Sequence, residues 1–263
     1  MTHPLRIQEK RIIDLLSKGE RLDGRGTTDY REIFVDSGVI ERAEGSARVR
    51  LGKTDVMVGV KIETGTPFSD VPDKGVLMVN AELVPLASPS FEPGPPSEEA
   101  IELARVVDRG IREAETIELE KLCVEAGKRV FIVFIDIYPL NHDGNLIDAS
   151  ALAALAALIN TKMFNYELVE DEIRKTPGYA PLPIRNHPVP VTLAKIDDKI
   201  VVDPSLEEEQ VMNARLTLTF DKDGKICAIQ KGGGNYFTLE EILEATKIAK
   251  RKTEELRKIV VKP

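Results

Sequence analysis

The stretch R-V-F-I-V-F-I-D-I-Y-P, Arg129 to Pro139, followed by L-N-H-D-G-N-L-I-D-A-S, Leu140 to Ser150, decides how the fold is read. Its first part is a nearly unbroken apolar run, the pattern of a strand inside a sheet covered on both faces. The D-G loop at Asp143 and Gly144 then leads into an Ala/Leu-rich segment whose composition predicts a helix over Ala149 to Phe164. That helix is apolar on most sides, which places it at the centre of the molecule.

Toward the N-terminus, Glu32 to Val39, Ala47 to Leu51 and Val56 to Glu63 alternate or run apolar as strands do, and Gly52 to Thr54 makes the latter two a hairpin. Val76 to Leu86 is a further expected strand. The Pro-rich loop Ser88 to Pro96 follows, and then a helix from Ser97, with Glu98 and Glu99 in its first turn, to about Glu115. An opening helix, Leu5 to Lys18, carries Ile12, Ile13, Leu15 and Leu16 on one side and closes at Gly19.

Toward the C-terminus, Thr176 to Pro190 reads as a Pro-containing connection. Strands are expected at Val189 to Lys195, Ile200 to Val202, Ala214 to Phe220 and Ile226 to Lys231. A glycine loop, K-G-G-G-N (Lys231 to Asn235), lacks the G-K-[ST] ending of a P-loop and reads as a tight connection to the last helix, which the capping box of Thr238 and Glu241 opens. Two successive strands-then-helix halves give an internally duplicated α+β fold. Its expected parts are an N-terminal helix and extension over 1–30, a first core half over 31–166 and a second over 189–260.

Hydrophobic residues are 42% and charged residues 30% of the 263, a globular and not a disordered composition. No apolar run is long enough to span a bilayer, and Met1 to Lys10 carries charges where a signal peptide needs an apolar stretch, so a cytoplasmic protein without membrane contact is expected. Lys and Arg number 36 against 44 Asp and Glu, a net charge of -8, which argues against indiscriminate coating of nucleic acid. Any nucleic-acid contact must therefore be local. Cys123 and Cys227 lie far apart in apolar contexts and read as small buried hydrophobes.

Basic residues concentrate in two places. At about 100° per residue, Arg105, Arg109 and Arg112 fall within an arc of roughly 60° on the helix after the Pro-rich loop. Three guanidiniums in one stripe make a phosphate track, although Asp108 can pair Arg112 across one turn. In G-S-A-R-V-R-L-G-K-T (Gly45 to Thr54), Arg48 and Arg50 share one strand face and Lys53 sits in the turn, so they either line a nucleic-acid path or form the wet side of a sheet. The acidic stretch V-D-P-S-L-E-E-E-Q (Val202 to Gln210) offers Asp203 and Glu207 to Glu209 either for acid chemistry or as a solvated helix start. His142, Asp143, Asp148 and Asp136 lack a metal-ligand spacing, so no metal or other cofactor is expected.

R-L-D-G-R-x-x-x-D-Y-R (Arg21 to Arg31), G-S-A-R-V-x-L-G-x-T (Gly45 to Thr54) and R-V-V-D-R-G-I-R (Arg105 to Arg112) resemble RNase PH-like proteins in order and spacing. D-I-Y-P-L-N-H-D-G-N-L-I-D-A (Asp136 to Ala149) and V-D-P-S-L-E-E-E (Val202 to Glu209) are similar to the non-catalytic ring subunits of the archaeal exosome in particular. The resemblance implies a duplicated βαβα-type RNase PH fold with mixed sheets and packed helices. It implies a six-membered ring in which such a subunit alternates with a catalytic paralogue, three of each, with RNA-binding cap subunits on one face and single-stranded RNA in the central pore.

Active members of that family carry a G-T-R-T-like stretch at the start of the helix after the central strand, where an arginine and hydroxyls hold the attacking phosphate. Here Asn145, Leu146, Ile147 and Asp148 stand there, and the Asp148 carboxylate is expected to occupy the positive helix end with no Arg, Lys or Thr nearby. The family's acid shortly after the E-E pair is also missing, since Met212, Asn213, Ala214 and Arg215 hold that stretch. No catalytic residue is therefore assigned. The resemblance implies a non-catalytic subunit of a 3′-to-5′ phosphorolytic exoribonuclease, contacting RNA through Arg105, Arg109, Arg112, Arg48, Arg50 and Lys53. The alternatives are a self-sufficient phosphorolytic exoribonuclease, which another arginine in the cleft would favour, and an assembly scaffold that touches no RNA.

Overall fold

The computed structural model describes residues 3–169 and 172–261. Helix α1 (His3–Ser17) is followed by strands β1 (Ile33–Ser37), β2 (Gly45–Leu51), β3 (Thr54–Gly65) and β4 (Val76–Ala81), then helix α2 (Glu98–Glu113). Next come a short 3-10 turn, Leu119–Leu122, strands β5 (Cys123–Glu125) and β6 (Arg129–Asn141), and helix α3 (Leu146–Asn160). Strands β7 (Lys162–Val169) and β8 (Glu172–Pro181) form a hairpin. The chain ends with β9 (Val189–Ile196), β10 (Lys199–Val202), α4 (Leu206–Val211), β11 (Ala214–Phe220), β12 (Ile226–Gly232) and α5 (Leu239–Val260).

The first sheet runs β1-β2-β3-β6-β4 and is mixed, because β4 lies parallel to β6 while the other pairs are antiparallel. The second is antiparallel in the order β10-β9-β11-β12. Helix α3 lies between them, packed on β2, β3 and β6 on one side and on β9 on the other. Its composition requires that place: Leu152, Leu155 and Leu158 are buried, and so are the alanines around them. The duplicated α+β architecture is thus present, with one helix serving as the shared core of both halves.

Several local expectations are corrected. The central helix begins three residues before Ala149 and ends at Asn160, because Thr161 turns extended and its hydroxyl donates back to the Ala157 carbonyl at 2.8 Å. Gly45 of β2 sits against that helix end: a Cβ there would fall 2.1 Å from Thr161 Oγ1 and 2.5 Å from Ala157 O, so only glycine allows the approach. The helix expected to run to Phe164 gives way to β7 at Lys162, and the first part of the connection expected over Thr176 to Pro190, as far as Pro181, belongs to β8. The strand expected to run from Val76 to Leu86 stops at Ala81.

Strand β6 is buried on one face only. Val133, Ile135 and Ile137 are inside, whereas Phe134 is half-buried and Tyr138 exposed on the outer face. The strand covered on both faces is β9, between α3 and α5. Helix α1 closes a small separate cluster, with Ile12 and Leu16 against Ala194, Ile196, Val201 and Val211.

Replacing Leu152 with alanine removes buried contacts between the two sheets and is expected to lower the unfolding free energy by about 3 kcal/mol, read as a lower urea midpoint. An unchanged midpoint would contradict a central α3.

Candidate functional site

The two halves meet where the loop before α3 touches the start of α4. Gly144, at φ +90°, makes this possible: a Cβ there would lie 2.5 Å from the Ser205 carbonyl carbon and 2.6 Å from Leu206 N. Leu206 N–H donates to the Asp143 carbonyl at 3.1 Å across the same junction. Helix α4 carries its own capping box, Ser205 with Glu208, so the acidic stretch is a helix start and not a loose turn.

The segment Arg21 to Arg31 locks this junction from outside. Arg21 is ion-paired with the buried Glu208 and donates to the carbonyls of Val202 and Asp203, both at 2.8 Å. Arg25 and Arg31 both reach the buried Asp203 carboxylate, at 2.9 and 2.7 Å. Arg31 Nη1 and Nη2 also donate to the carbonyls of Asp143 and Gly144, at 2.6 and 3.2 Å. Asn145 Nδ2 then links Asp203, at 2.8 Å, to Asp148, at 2.9 Å.

Asp148 stands in the first turn of α3, as the sequence suggested, but its carboxylate does not point at the free helix N–H groups. Its carboxylate turns into the core and accepts from the Tyr30 hydroxyl at 2.6 Å and from the Thr192 backbone and hydroxyl at 3.0 and 2.7 Å. Burial pushes its pKa up to about 6, against the pull of those donors. A second carboxyl at the positive end of α3 is Glu209, whose Oε1 accepts the Asn145 N–H at 2.8 Å. Neither is the loop without Arg or Thr: besides Arg31, the Thr54 hydroxyl donates to the Gly144 carbonyl at 2.7 Å.

A cleft of about 470 Å³ opens beside this helix end, with Phe91, Glu102, His142, Asn145, Glu209 and Arg215 on its walls. Phe91 and His142 stack at 5.4 Å between ring centres. Arg215 is a guanidinium in the cleft that sequence reasoning missed as a site residue; the fold brings it there from the start of β11. It is paired with Glu102 of α2 at 2.7 Å. The possible metal set does not assemble: Asp136 accepts from Asn80, Asp143 lies 3.7 Å from Arg31, and Asp148 is inside. Among the described residues no three His, Cys, Asp or Glu side chains converge as a metal site.

The basic residues fall into two separate groups. Arg105, Arg109 and Arg112 are exposed along α2, beside a groove of about 400 Å³ against β4. Arg112 is tied to Asp108 at 2.6 Å and donates to the Leu77 carbonyl at 3.0 Å. The Arg105 and Arg109 side chains have no hydrogen-bond or ion-pair partner among the described residues. Arg48 and Arg50 stand on the outer face of β2, separated from β4 by two strands, roughly 14 Å across the sheet. Arg48 is paired with Asp55 at 2.6 Å, and Arg50 lies 3.8 Å from Asp36 and over the Phe34 ring. Lys53 is exposed in the β2–β3 turn, where its carbonyl accepts from Asn141 at 2.5 Å.

Burial pushes the Glu209 carboxyl up to about 7. Because its folded pKa lies above its ordinary value, the folded protein binds more protons between about pH 4.5 and 7, and stability falls as pH rises through that window. Glu209→Gln keeps an acceptor for the Asn145 N–H but cannot ionise. It is expected to gain on the order of 1–2 kcal/mol relative to the native chain between pH 4.5 and pH 8, measured by urea denaturation. A difference independent of pH would show that Glu209 is not held against ionisation.

Residues 29–163 match domain 1 of the 3′ exoribonuclease family (RNase PH), and residues 186–252 match domain 2. The exosome complex component Rrp42 of Thermococcus gammatolerans is 56% identical over 257 residues, covering 97% of this chain and 94% of that protein. The protein of the same description from Methanopyrus kandleri is 49% identical over 256 residues, covering 97% of this chain and 96% of that protein. A solved structure described as the Archaeoglobus fulgidus exosome with RNA bound to the active site superposes with a TM-score of 0.90 at 47% identity, covering 98% of this chain and 99% of that one. Rice Rrp46, at 18% identity and a TM-score of 0.69, shares the fold. With both family domains matched in order, and relatives near half identity along almost the whole length, the chain belongs to the 3′ exoribonuclease (RNase PH) family.

Proposed function

We propose that this chain is a non-catalytic, RNA-contacting subunit of an exosome-type 3′-to-5′ phosphorolytic exoribonuclease ring, alternating with a catalytic RNase PH-like paralogue, three of each, beneath RNA-binding cap subunits. The observation that carries this is the state of the helix end in the cleft. Phosphorolysis needs a bound phosphate nucleophile and donors for its charge. At the start of α3 the Asn145 N–H is taken by Glu209, and the guanidinium that lines the cleft, Arg215, is ion-paired with Glu102. A carboxyl that takes this N–H, and is increasingly ionised above about pH 7, disfavours the phosphate nucleophile that the reaction requires.

The second reading, a self-sufficient phosphorolytic exonuclease, rests on one observation: Arg215 does lie in the cleft. A single assay separates the two, with labelled RNA given to this chain alone, to a catalytic paralogue, and to their mixture, each with and without inorganic phosphate. The proposal expects no nucleoside diphosphates from this chain alone and more from the mixture than from the paralogue. Release by this chain alone at a rate comparable to the mixture would overturn it.

The RNA contact is assigned first to Arg105 and Arg109, whose charges are unspent, and to Lys53. Arg112, Arg48 and Arg50 stand second because each already shares its charge with an aspartate. In the assembled ring, Arg109→Glu is expected to weaken RNA binding and to flatten the salt dependence by about 0.7 of a log unit per log unit of salt. Unchanged affinity and slope would favour the third reading, a scaffold without RNA contacts.

A further inference from the structure

We propose that Met78 positions RNA in the groove beside α2, as an apolar platform under one base, with Arg105 and Arg109 on the flanking phosphates and Arg112 as a fixed strut. This rests on the reading that the α2 face contacts RNA. Strand β4 is the last strand of the first sheet, so its outer edge has no ladder partner. That edge is blunted at one point only by Arg112, which donates to the Leu77 carbonyl at 3.0 Å and holds Asp108 with its other donors at 2.6 and 3.0 Å. Its Nε and Nη2 donors are so committed and Asp108 offsets its charge, which leaves only Nη1 toward solvent.

The next residue is Met78, 41% exposed, which lines the same groove as Arg105 and Arg109 from the outer face of the sheet, opposite the inward Leu77 and Val79. A large apolar side chain on an open sheet edge invites unwanted pairing and is ordinarily avoided there. On the rim of a groove that also holds two unpaired guanidiniums it has a use. The ribose-phosphate chain supplies the anions that Arg105 and Arg109 lack, and the base carried between two phosphates needs an apolar surface to lie on. Methionine is flexible and polarizable, so it packs against the face of any base without reading its edges. The one amide nearby, Asn80, has its Nδ2 engaged by Asp136 at 3.1 Å. The platform is therefore indifferent to sequence. A protein partner fits this wall less well, because it would have to bring its own carboxylates to avoid burying two unpaired charges.

The test uses the ring assembled with the catalytic paralogue, an oligouridylate probe, and a ribose-phosphate chain of equal length without bases, with affinity measured across salt. Met78→Ala should weaken oligouridylate binding about fivefold without changing the salt slope, and should leave the base-free chain unaffected; Met78→Leu should restore binding. Arg109→Gln should lower the slope and Arg112→Gln should not. Equal loss on the base-free chain, no loss at all, or impaired ring assembly by mass measurement would each overturn the platform, the last in favour of a protein contact. A slope lost equally at Arg112 would overturn the strut. If Arg105→Gln and Arg109→Gln leave both affinity and slope unchanged, the RNA reading of the face fails, whereas their effect without one at Met78 sinks this inference alone.

Discussion

The buried carboxylate of Asp203 is the tie on which the rest of the structure depends. It accepts from Arg25, from the backbone and side chain of Arg31, and from Asn145, so it joins the N-terminal arm, the loop before α3 and the second half of the chain. A charge taken out of water at that depth costs several kcal/mol unless its lone pairs are filled, and here three elements must be in place to fill them. The cost of local geometry is met in the same way. Asp203 and Asn145 both sit at positive φ, 51° and 53°, which is unfavourable for residues with a Cβ and is held by the bonds around them.

The same packing that makes the cleft also occupies it. Bringing α4 against Gly144 carries Glu209 to the start of α3, where the helix would otherwise present free N–H groups to an anion. Bringing α2 against the second sheet carries Glu102 to Arg215. Glu209 and Arg215 in the cleft thus each have a structural partner. On the solvent side of α2 the opposite holds, because Arg105 and Arg109 have none among the described residues. Charge that is already neutralised stabilises the fold, and charge left over is available to a ligand.

The strongest periodic signals survived folding. The run Arg129 to Pro139, the hairpin around Gly52, the Ser97 and Thr238 caps and the four strands of the second sheet stand where alternation and capping residues put them. The hairpin of β7 and β8 was lost because Phe164 continues the apolar pattern of α3 and because Pro177 and Pro181 demote a strand in any local reading. Prolines are tolerated there since β8 has a partner on one side only. The outer face of β6 misled in the other direction. Its apolar Phe134 and Tyr138 suggested cover on both faces, yet Phe134 is only half-buried and Tyr138 exposed among the described residues, and local sequence cannot distinguish a face covered by its own chain from one left open.

The sequence by itself determined the duplicated order of strands and helices, the apolar centre of α3, and the absence of hydroxyls and of an arginine from its first turn. Those properties depend on residues within a few positions of one another, and their periodicity is set by backbone geometry alone. Only the tertiary structure decided which carboxylate meets the positive helix end, that Arg215 enters the cleft already paired, and which of the three α2 arginines is spent. Asn145 meets Glu209, and Arg215 meets Glu102, across separations of 64 and 113 residues. An electrostatic partner acts through a few ångströms of space, and distance along the chain says nothing about that.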